Sequence, residues 1–394
     1  MTGTTIISGE RATDKDYGVL LPSVFKLRET GLVTGIYLCG RSGGKLNYIR
    51  DRFVQFGQEY DIDVSFNAFP ASDLYDDKAY IEALESVPEP RAALIAVPDV
   101  AHEEIILACV RRQVPFLVVK PAVTNLEAFY RIHDELKASN VLGMVDYHKV
   151  YDEANMLTKS EYAGGRYGKI QHFSSLMTQR RDMLKVYRRW FGNGNILNIN
   201  HYLGAHYIHL VSFMTGGTPK TVRATMQFGV AKTEFNIDTP DIIQTNVEWE
   251  LPDGCCFVSY HISGWSDPCE TAAMTFQQFH MLTENGHIFS DQRDRGLSQF
   301  LCGEGLATPN PYFFPLFKGH GGKLAIDGKY GFESIRVFLE LVKKGFKVND
   351  GVDYYPTFEE SENVTSVLNG ADLSLREKSR VVTIEKENGR YILR

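Results

Sequence analysis

Ala92-Ala-Leu-Ile-Ala-Val-Pro98, then His102 to Arg112, then Phe116-Leu-Val-Val119 decide the fold class. The first run is short, apolar and stopped by proline, as a buried strand is; the second repeats apolar residues at helical spacing; the third is a strand again. Parallel neighbours in a sheet need a crossover between them, and a helix of this length supplies one. Upstream, Thr4 to Ser8 reads as a strand and Tyr17 to Arg28 as a helix, with Leu20, Leu21, Val24 and Leu27 on one face. Leu32 to Cys39 is a strand stopped by Gly40-Arg-Ser-Gly-Gly44, and Lys45 to Phe56 a helix carrying Leu46, Ile49, Phe53 and Phe56. Helices follow at Ala79 to Ser86 and about Asn125 to Lys137, and a strand at Val141 to Val145. The alternation predicts an α/β protein whose N-terminal part is a Rossmann-type, doubly wound parallel sheet, with ligands beyond the carboxyl ends of its strands.

Past Asp146 the texture changes. Ala163 to Gly168 is turn-rich, Ile199 to Met214 is helical, Gln244 to Glu250 and Cys255 to His261 alternate, and Glu333 to Lys344 and Glu359 to Ala371 read as late helices. This predicts a C-terminal α/β domain with a large, mostly antiparallel sheet. The expected division is residues 1–145 for dinucleotide binding and 146–394 for substrate binding and oligomerisation.

Of the 394 residues 43% are hydrophobic and 23% charged, a balance that supports more than one core and excludes a disordered or fibrous chain. Lys and Arg number 42 against 49 Asp and Glu, and the net charge of -7 gives no electrostatic reason to bind nucleic acid or an anionic membrane. The six cysteines contain no C-x-x-C pair and read as reduced thiols, so no metal site is expected. No apolar run approaches the roughly 18 residues of a membrane span. Met1 to Asp14 lacks the apolar core of a signal peptide, and a soluble cytoplasmic protein is the expectation.

A dinucleotide site needs a tight turn after the first strand, where backbone N–H groups cradle the pyrophosphate. Here that turn is Ser8-Gly9-Glu10-Arg11-Ala12, so Gly9, Arg11 and Ala12 are the candidate contacts; G-x-G-x-x-G is absent, and an ordinary loop fits the same residues. An acidic residue at the end of the second strand would hold the ribose of NAD, whereas an arginine accommodates the 2′-phosphate of NADP. The chain has Arg41 followed by Ser42. The cofactor expected is therefore NADP or NAD, with NADP favoured.

Ile95-Ala-Val-Pro-Asp-Val-Ala-His102, followed by Phe116-Leu-Val-Val-Lys-Pro121, resembles the glucose-fructose oxidoreductase/inositol dehydrogenase/MocA family, in which a strand ending T-P-N-x-x-H precedes one ending E-K-P. Val119 replaces the usual Glu; Lys120-Pro121 matches. Gly165-Arg-Tyr-Gly-Lys-Ile170 is similar to the family's G-x-L-G-x-I, and Gly194-Asn-Ile-Leu to His206 to its G-G-G-x-L-x-D-x-G-x-H. Thr283 to Phe289 and Glu360 to Glu377 resemble its later motifs, so the likeness spans nearly the whole chain. It implies an NAD(P)-dependent oxidoreductase acting on a secondary alcohol of a sugar, cyclitol or glycoside, and a homo-oligomer, dimer or tetramer. Two features depart from the pattern. Tyr202 stands where the family has an aspartate four residues before the histidine, and Asn200-His-Tyr-Leu-Gly204 also resembles the D-H-Y-L-G-K of glucose-6-phosphate dehydrogenases, which keeps a sugar phosphate open as substrate.

Alcohol oxidation needs a proton acceptor, and histidine's pKa suits that task near neutral pH. The resemblance makes His206 that group and Lys120 the cation that stabilises charge on the reacting oxygen. By regular helical spacing Asn198, Tyr202, His206 and His209 line one wall, which makes Tyr202 a third catalytic candidate. Pro98 and His102, after the third strand, are expected beside the nicotinamide with Lys120, although helix capping or packing explains His102 equally well. Asn200, His201, Tyr202, Arg180 and Trp190 are expected on the substrate side; Gln179 to Asp182 and Arg188-Arg189 suit an anionic group or a solvated basic face. A non-catalytic sensor of nucleotide or sugar is the rival function, motivated by the missing glycine fingerprint and by Tyr202.

Overall fold

The computed structural model describes residues 17–71, 73–187, 198–303, 305–350 and 356–394. The expected strand Thr4 to Ser8 and the turn that follows it lie outside these residues. In the N-terminal part, strands β1 (Tyr37–Cys39) and β2 (Asn67–Phe69) pair in parallel, and β3 (Ala93–Ile95), β4 (Phe116–Val119) and β5 (Gly143–Asp146) form a second parallel sheet in that order. Helices α1 (Leu20–Glu29), α2 (Gly43–Tyr60), α3 (Ala79–Ser86), α4 (His102–Arg111) and α5 (Leu126–Ser139) are interleaved with them. This is the Rossmann-type arrangement the alternation predicts.

Local chemistry sets these boundaries. The Asn125 side chain accepts the Ala128 N–H at 2.8 Å to start α5, and Asn140, at φ 53°, ends it in the left-handed conformation that asparagine tolerates. Gly143 in β5 is required because a Cβ there would lie 2.7 Å from the Phe116 ring on the neighbouring strand.

After α6 (Glu153–Ala163) the chain builds an eight-stranded sheet. Its strands are β6 (Ile170–Arg180), β7 (Thr218–Gln227), β8 (Ile242–Glu250), β9 (Cys256–Asp267), β10 (Thr275–Thr283), β11 (Gly286–Asp291) and, beyond the hairpin β12 (Gln299–Leu301) and β13 (Gly305–Ala307), the final β14 (Val382–Glu387) and β15 (Arg390–Leu393). The spatial order is β11-β10-β6-β9-β8-β7-β14-β15, and every pairing except β6 with β9 is antiparallel. Strand β8 alternates buried and half-buried residues along its length, so one face is the core face. Against that face pack α8 (Ala205–Thr215) and α11 (Ser361–Arg376), while α7 (Leu184–Tyr187) and α9 (Val230–Phe235) lie near the end of β9.

Helix α10 (Tyr330–Lys343), together with Phe314, Leu324 and Ile326 before it, leaves the eight-stranded sheet for the N-terminal core. Phe332, Ile335, Phe338 and Leu341 share a buried cluster with Leu21, Phe25, Phe53 and Met144. A second cluster runs from Phe116, Phe129 and Val145 through α8 to Trp249 and Trp265. The two halves are therefore joined by packing on both flanks, each buried side chain of this size contributing about 2 kcal/mol. Asn369 on α11 adds polar stitches, accepting the Leu126 N–H at 2.9 Å and donating to the Thr124 carbonyl at 2.9 Å.

Candidate active site

In a doubly wound sheet the residues just past the carboxyl ends of the strands face the ligand cleft. Here these are Pro98-Asp99 after β3, Lys120 after β4, and Asp146, the last residue of β5, with His148 just beyond it. Opposite them, Asn200–Gly204 forms a single π-helical turn that leads directly into α8. Such turns concentrate at functional sites, and this one has a steric basis: a Cβ on Gly204 would fall 2.1 Å from Asn200 Oδ1, so only glycine lets the turn close over that side chain.

Lys120 and Tyr202 meet across this junction. The Lys120 ammonium donates to the Tyr202 carbonyl and lies 4.2 Å from the centre of its ring. Burial pulls Lys120 down to about 8, against the opposing pull of the Asp99 and Asp146 carboxylates. Burial likewise raises Asp99 and Asp146. Asp99 is restrained by His102, Lys120 and His201, and Asp146 by a hydrogen bond from Ser334 and by Lys120. His206 is 5% exposed; its imidazole is held well below its ordinary value by burial first, then by Lys120, His148, Lys149 and His209. It is a neutral base at physiological pH, which is the state a proton acceptor needs.

The wall expected on α8 does not form as drawn. The π turn bonds i to i+5 and widens the helix, so residues before and after it do not keep the four-residue register. The Tyr202 hydroxyl pairs with that of Tyr187, and its ring stacks 6.2 Å from Trp265. His209 stacks 3.8 Å from Tyr147 with Nε2 3.3 Å from Glu360, and Asn198 donates to Asp372 at 2.9 Å. The ring beside His206 is that of His148, 4.8 Å away.

Two candidate substrate contacts are corrected on burial. Asn200 and His201 are each 1% exposed, and His201 Nε2 lies 2.7 Å from Asp372 Oδ2. Burial opposes the charge of His201, yet Asp372, by charge and hydrogen bond, outweighs it and raises the imidazole above its ordinary value. The His201 side chain thereby ties the π turn to α11, whereas the Asn200 amide is buried beneath the turn with no hydrogen-bond partner among the described residues. Arg180 is tied to Asp182 at 2.5 Å, which neutralises it locally. His102 is corrected similarly: it is fully buried, with Nδ1 3.1 Å from the Pro121 and Ala122 carbonyls and Nε2 3.1 Å from that of Val97. It clamps the ends of β3 and β4 together, the packing role that the sequence left open for it. Trp190, Arg188, Arg189, Gly9, Arg11 and Ala12 lie outside the described residues.

What remains at the end of β1 fits a nicotinamide dinucleotide. Arg41 is exposed, and the Ser42 side chain makes no capping bond although Ser42 precedes α2. A cation and an uncapped hydroxyl thus stand, among the described residues, at the second-strand end, the place where doubly wound folds hold a ribose. Pro98 is exposed at the end of β3.

Sequence reading did not single out Asp99, Asp146, His148 or Lys149. The signal for three of them was positional, polar residues directly after an apolar strand. Lys149 is buried 2% exposed, donates to Gln277 at 2.7 Å and Gln292 at 2.9 Å, and is pulled down to about 7 by burial, with Asp152 opposing. Gln292 also accepts from Tyr207 at 2.8 Å, so this network underlies the helix that carries His206.

Residues 52–147 match the family model described as an oxidoreductase family with an NAD-binding Rossmann fold, that of glucose-fructose oxidoreductase, inositol dehydrogenase and MocA. A comparison with curated proteins found no match. Among solved structures, the chain is similar to myo-inositol 2-dehydrogenase from Lactobacillus plantarum, at 13% identity and TM-score 0.67, over 89% of this chain and 91% of that one. It is similar to scyllo-inositol dehydrogenase from Lactobacillus casei with bound NAD(H) and scyllo-inositol, at 12% identity and TM-score 0.66, over 91% and 95%. An inositol dehydrogenase homolog from Azotobacter vinelandii complexed with NADH and myo-inositol aligns at 15% identity and TM-score 0.60, over 85% and 86%. At these identities the likeness is one of fold.

Proposed function

The chain carries, over residues 52–147, the NAD-binding Rossmann domain of the glucose-fructose oxidoreductase/inositol dehydrogenase/MocA family of oxidoreductases, and from that premise we propose that it is an NAD(P)-dependent dehydrogenase acting on a secondary alcohol of a cyclitol, sugar or glycoside. The observation that carries this reading is the convergence of Lys120, from the carboxyl end of a parallel strand, with the turn that delivers His206. A bound nicotinamide supplies the hydride acceptor. Lys120 has three donors, of which the Tyr202 carbonyl uses one, so another can hold the carbinol oxygen and stabilise charge as it develops. Neutral His206 takes the hydroxyl proton. Cofactor choice rests with Arg41, whose exposed guanidinium suits the 2′-phosphate of NADP.

Substrates without phosphate are favoured over sugar phosphates, because of the two residues that carry the glucose-6-phosphate dehydrogenase likeness His201 is buried on Asp372 and the Tyr202 hydroxyl pairs with Tyr187, and the charges of Asp99 and Asp146 act on Lys120. A homo-oligomer is supported by exposed apolar residues on the outward face of the eight-stranded sheet, among them Val258, Leu282 and Phe289. The test is quenching of protein fluorescence by NADPH and NADH, followed by single-turnover reduction with cyclitols, free sugars, glycosides and sugar phosphates. Turnover with an unphosphorylated polyol is expected. Cofactor or sugar binding without turnover on any of them would establish the sensor instead.

A further inference from the structure

Helix α8 has no carboxylate of its own to serve His206, and the phenol at position 202 is committed to Tyr187. His206 Nδ1 is buried and has no hydrogen-bond partner among the described residues. Beside it, at 4.8 Å between ring centres and tilted by 58°, is His148. His148 Nδ1 in turn lies 3.9 Å from Asp146 Oδ1, and that oxygen is also buried without a hydrogen-bond partner among the described residues. Two unsatisfied buried polar atoms thus bracket one imidazole. Each costs about 1 to 3 kcal/mol, a cost that calls for a functional reason when both occur within one site.

We propose, building on the dehydrogenase reading, that His148 and Asp146 are the second half of the proton path, His148 receiving the proton from His206 and Asp146 holding the imidazolium so formed. In the oxidative direction the carbinol O–H bond breaks and an N–H bond forms on the substrate-facing nitrogen of His206. The C–H electron pair leaves as hydride to the nicotinamide. The Nδ1–H bond of His206 then breaks as an N–H bond forms on His148, directly after a ring rotation or through one water. His148, with 19% of its side chain exposed, returns the proton to solvent.

The charges around His206 say why the proton does not stay there. Lys120 faces it from the end of β4, Lys149 from the segment after β5 and His209 from its own helix, and all oppose a cation on His206 in addition to burial. The uncharged Phe313 and Tyr330 rings pack on the other faces of His148. Among the described residues Asp146 is an acidic group within 3.9 Å of His148, and its charge also acts on Lys120. A carboxylate from the Rossmann strand thereby does for the relay what an aspartate at position 202 would have done from the helix, so His148 and Asp146 are positioning and relay residues that act through His206.

The test combines kinetics with a measurement that needs no turnover. His148→Ala should lower kcat by tenfold or more with little change in KM, and exogenous imidazole should restore part of it, which no structural role would produce. Asp146→Asn should lower kcat and shift the acid limb of its pH profile to lower pH by about one unit, with Asp146→Glu recovering part of the rate. In the cofactor-free protein, NMR titration should show the His148 midpoint falling by about one unit in Asp146→Asn. An active wild type whose His148→Ala variant keeps kcat and ignores imidazole overturns the relay alone. An unmoved His148 midpoint overturns its pairing with Asp146. Absence of nicotinamide reduction in the wild type overturns the relay together with the dehydrogenase reading.

Discussion

Lys120 gives the most direct quantitative test of the site. A group titrating at about 8 is about nine-tenths protonated at pH 7 and about one-hundredth protonated at pH 10. If the ammonium is the donor to the reacting oxygen, kcat/KM for alcohol oxidation, which reports groups of the free protein, should be level near neutrality and fall about tenfold per unit above pH 8. The acid side should stay level to well below pH 6.5 as far as His206 is concerned, because burial and its cationic neighbours keep it neutral there. Lys120→Met removes the donor and should cost about 10² to 10³ in kcat, some 3 to 4 kcal/mol of transition-state stabilisation. Lys120→Arg keeps a cation that does not deprotonate in this range; it should abolish the alkaline limb even though the planar guanidinium lowers the rate. The assay is initial-rate NAD(P)H formation between pH 6 and 10 with each variant. A rate that climbs through pH 8 would show the lysine acting as a base, and a Lys120→Met variant near wild-type turnover would remove it from the chemistry.

Arg41→Asp should move the ratio of kcat/KM values from NADP toward NAD by at least about tenfold, since it removes the phosphate partner and adds a ribose acceptor; an unchanged ratio would take Arg41 out of the cofactor site. His102→Ala should destabilise the protein by about 2 to 4 kcal/mol in urea unfolding, because it opens a cavity and frees the carbonyls of Val97, Pro121 and Ala122, whereas a loss of cofactor affinity with unchanged stability would contradict the clamp. Tyr202→Phe and Tyr187→Phe remove the same hydroxyl pair and should have equal, modest effects on kcat, with the double variant no worse than either; multiplicative losses would mean the two phenols act separately. Lys149 is depressed in the folded protein to about 7, so its contribution is complete above its unfolded value and is lost as pH falls toward 7. Relative to Lys149→Met, the wild type should therefore gain a few kcal/mol of unfolding free energy between pH 7 and 10, and a pH-independent difference would refute the buried ammonium.

The fold was legible wherever one element repeats one period. The strand at Phe116 to Val119 and the helix at Ala79 to Ser86 coincide with the observed elements, and Asn125 marks the start of α5. Strand β2 was missed because three residues, Asn67-Ala-Phe69, are too short to show alternation. The final hairpin was missed although Asn388-Gly389 gives the signal for it: both residues have positive φ, as a two-residue turn between β14 and β15 requires. The return of α10 to the N-terminal core has no local signature, since its apolar stripe would fit either cluster equally well.

The site divides along the same line. Lys120 and His206 stand out in the sequence because motif spacing fixes them along the chain, and Tyr202 because it breaks the motif. What those residues touch depends on the π turn, and hydrophobic periodicity does not distinguish an i+4 turn from an i+5 turn over five residues. Regular spacing therefore put Tyr202 beside His206, whereas the structure turns its hydroxyl to Tyr187 and brings His148 to the histidine. That exchange changes what the substitution at 202 means. Loss of the helical aspartate alone would leave a base with no negative charge near it, the arrangement that suggested a sensor. With Asp146 Oδ1 3.9 Å from His148, a carboxylate stands two imidazoles away on a rigid strand end, and position 202 is released to carry the aromatic ring that faces the Lys120 ammonium. The substitution is then consistent with a working dehydrogenase, because a lysine held between Asp99, Asp146 and an aromatic face keeps its proton and its place while the proton leaves by another route.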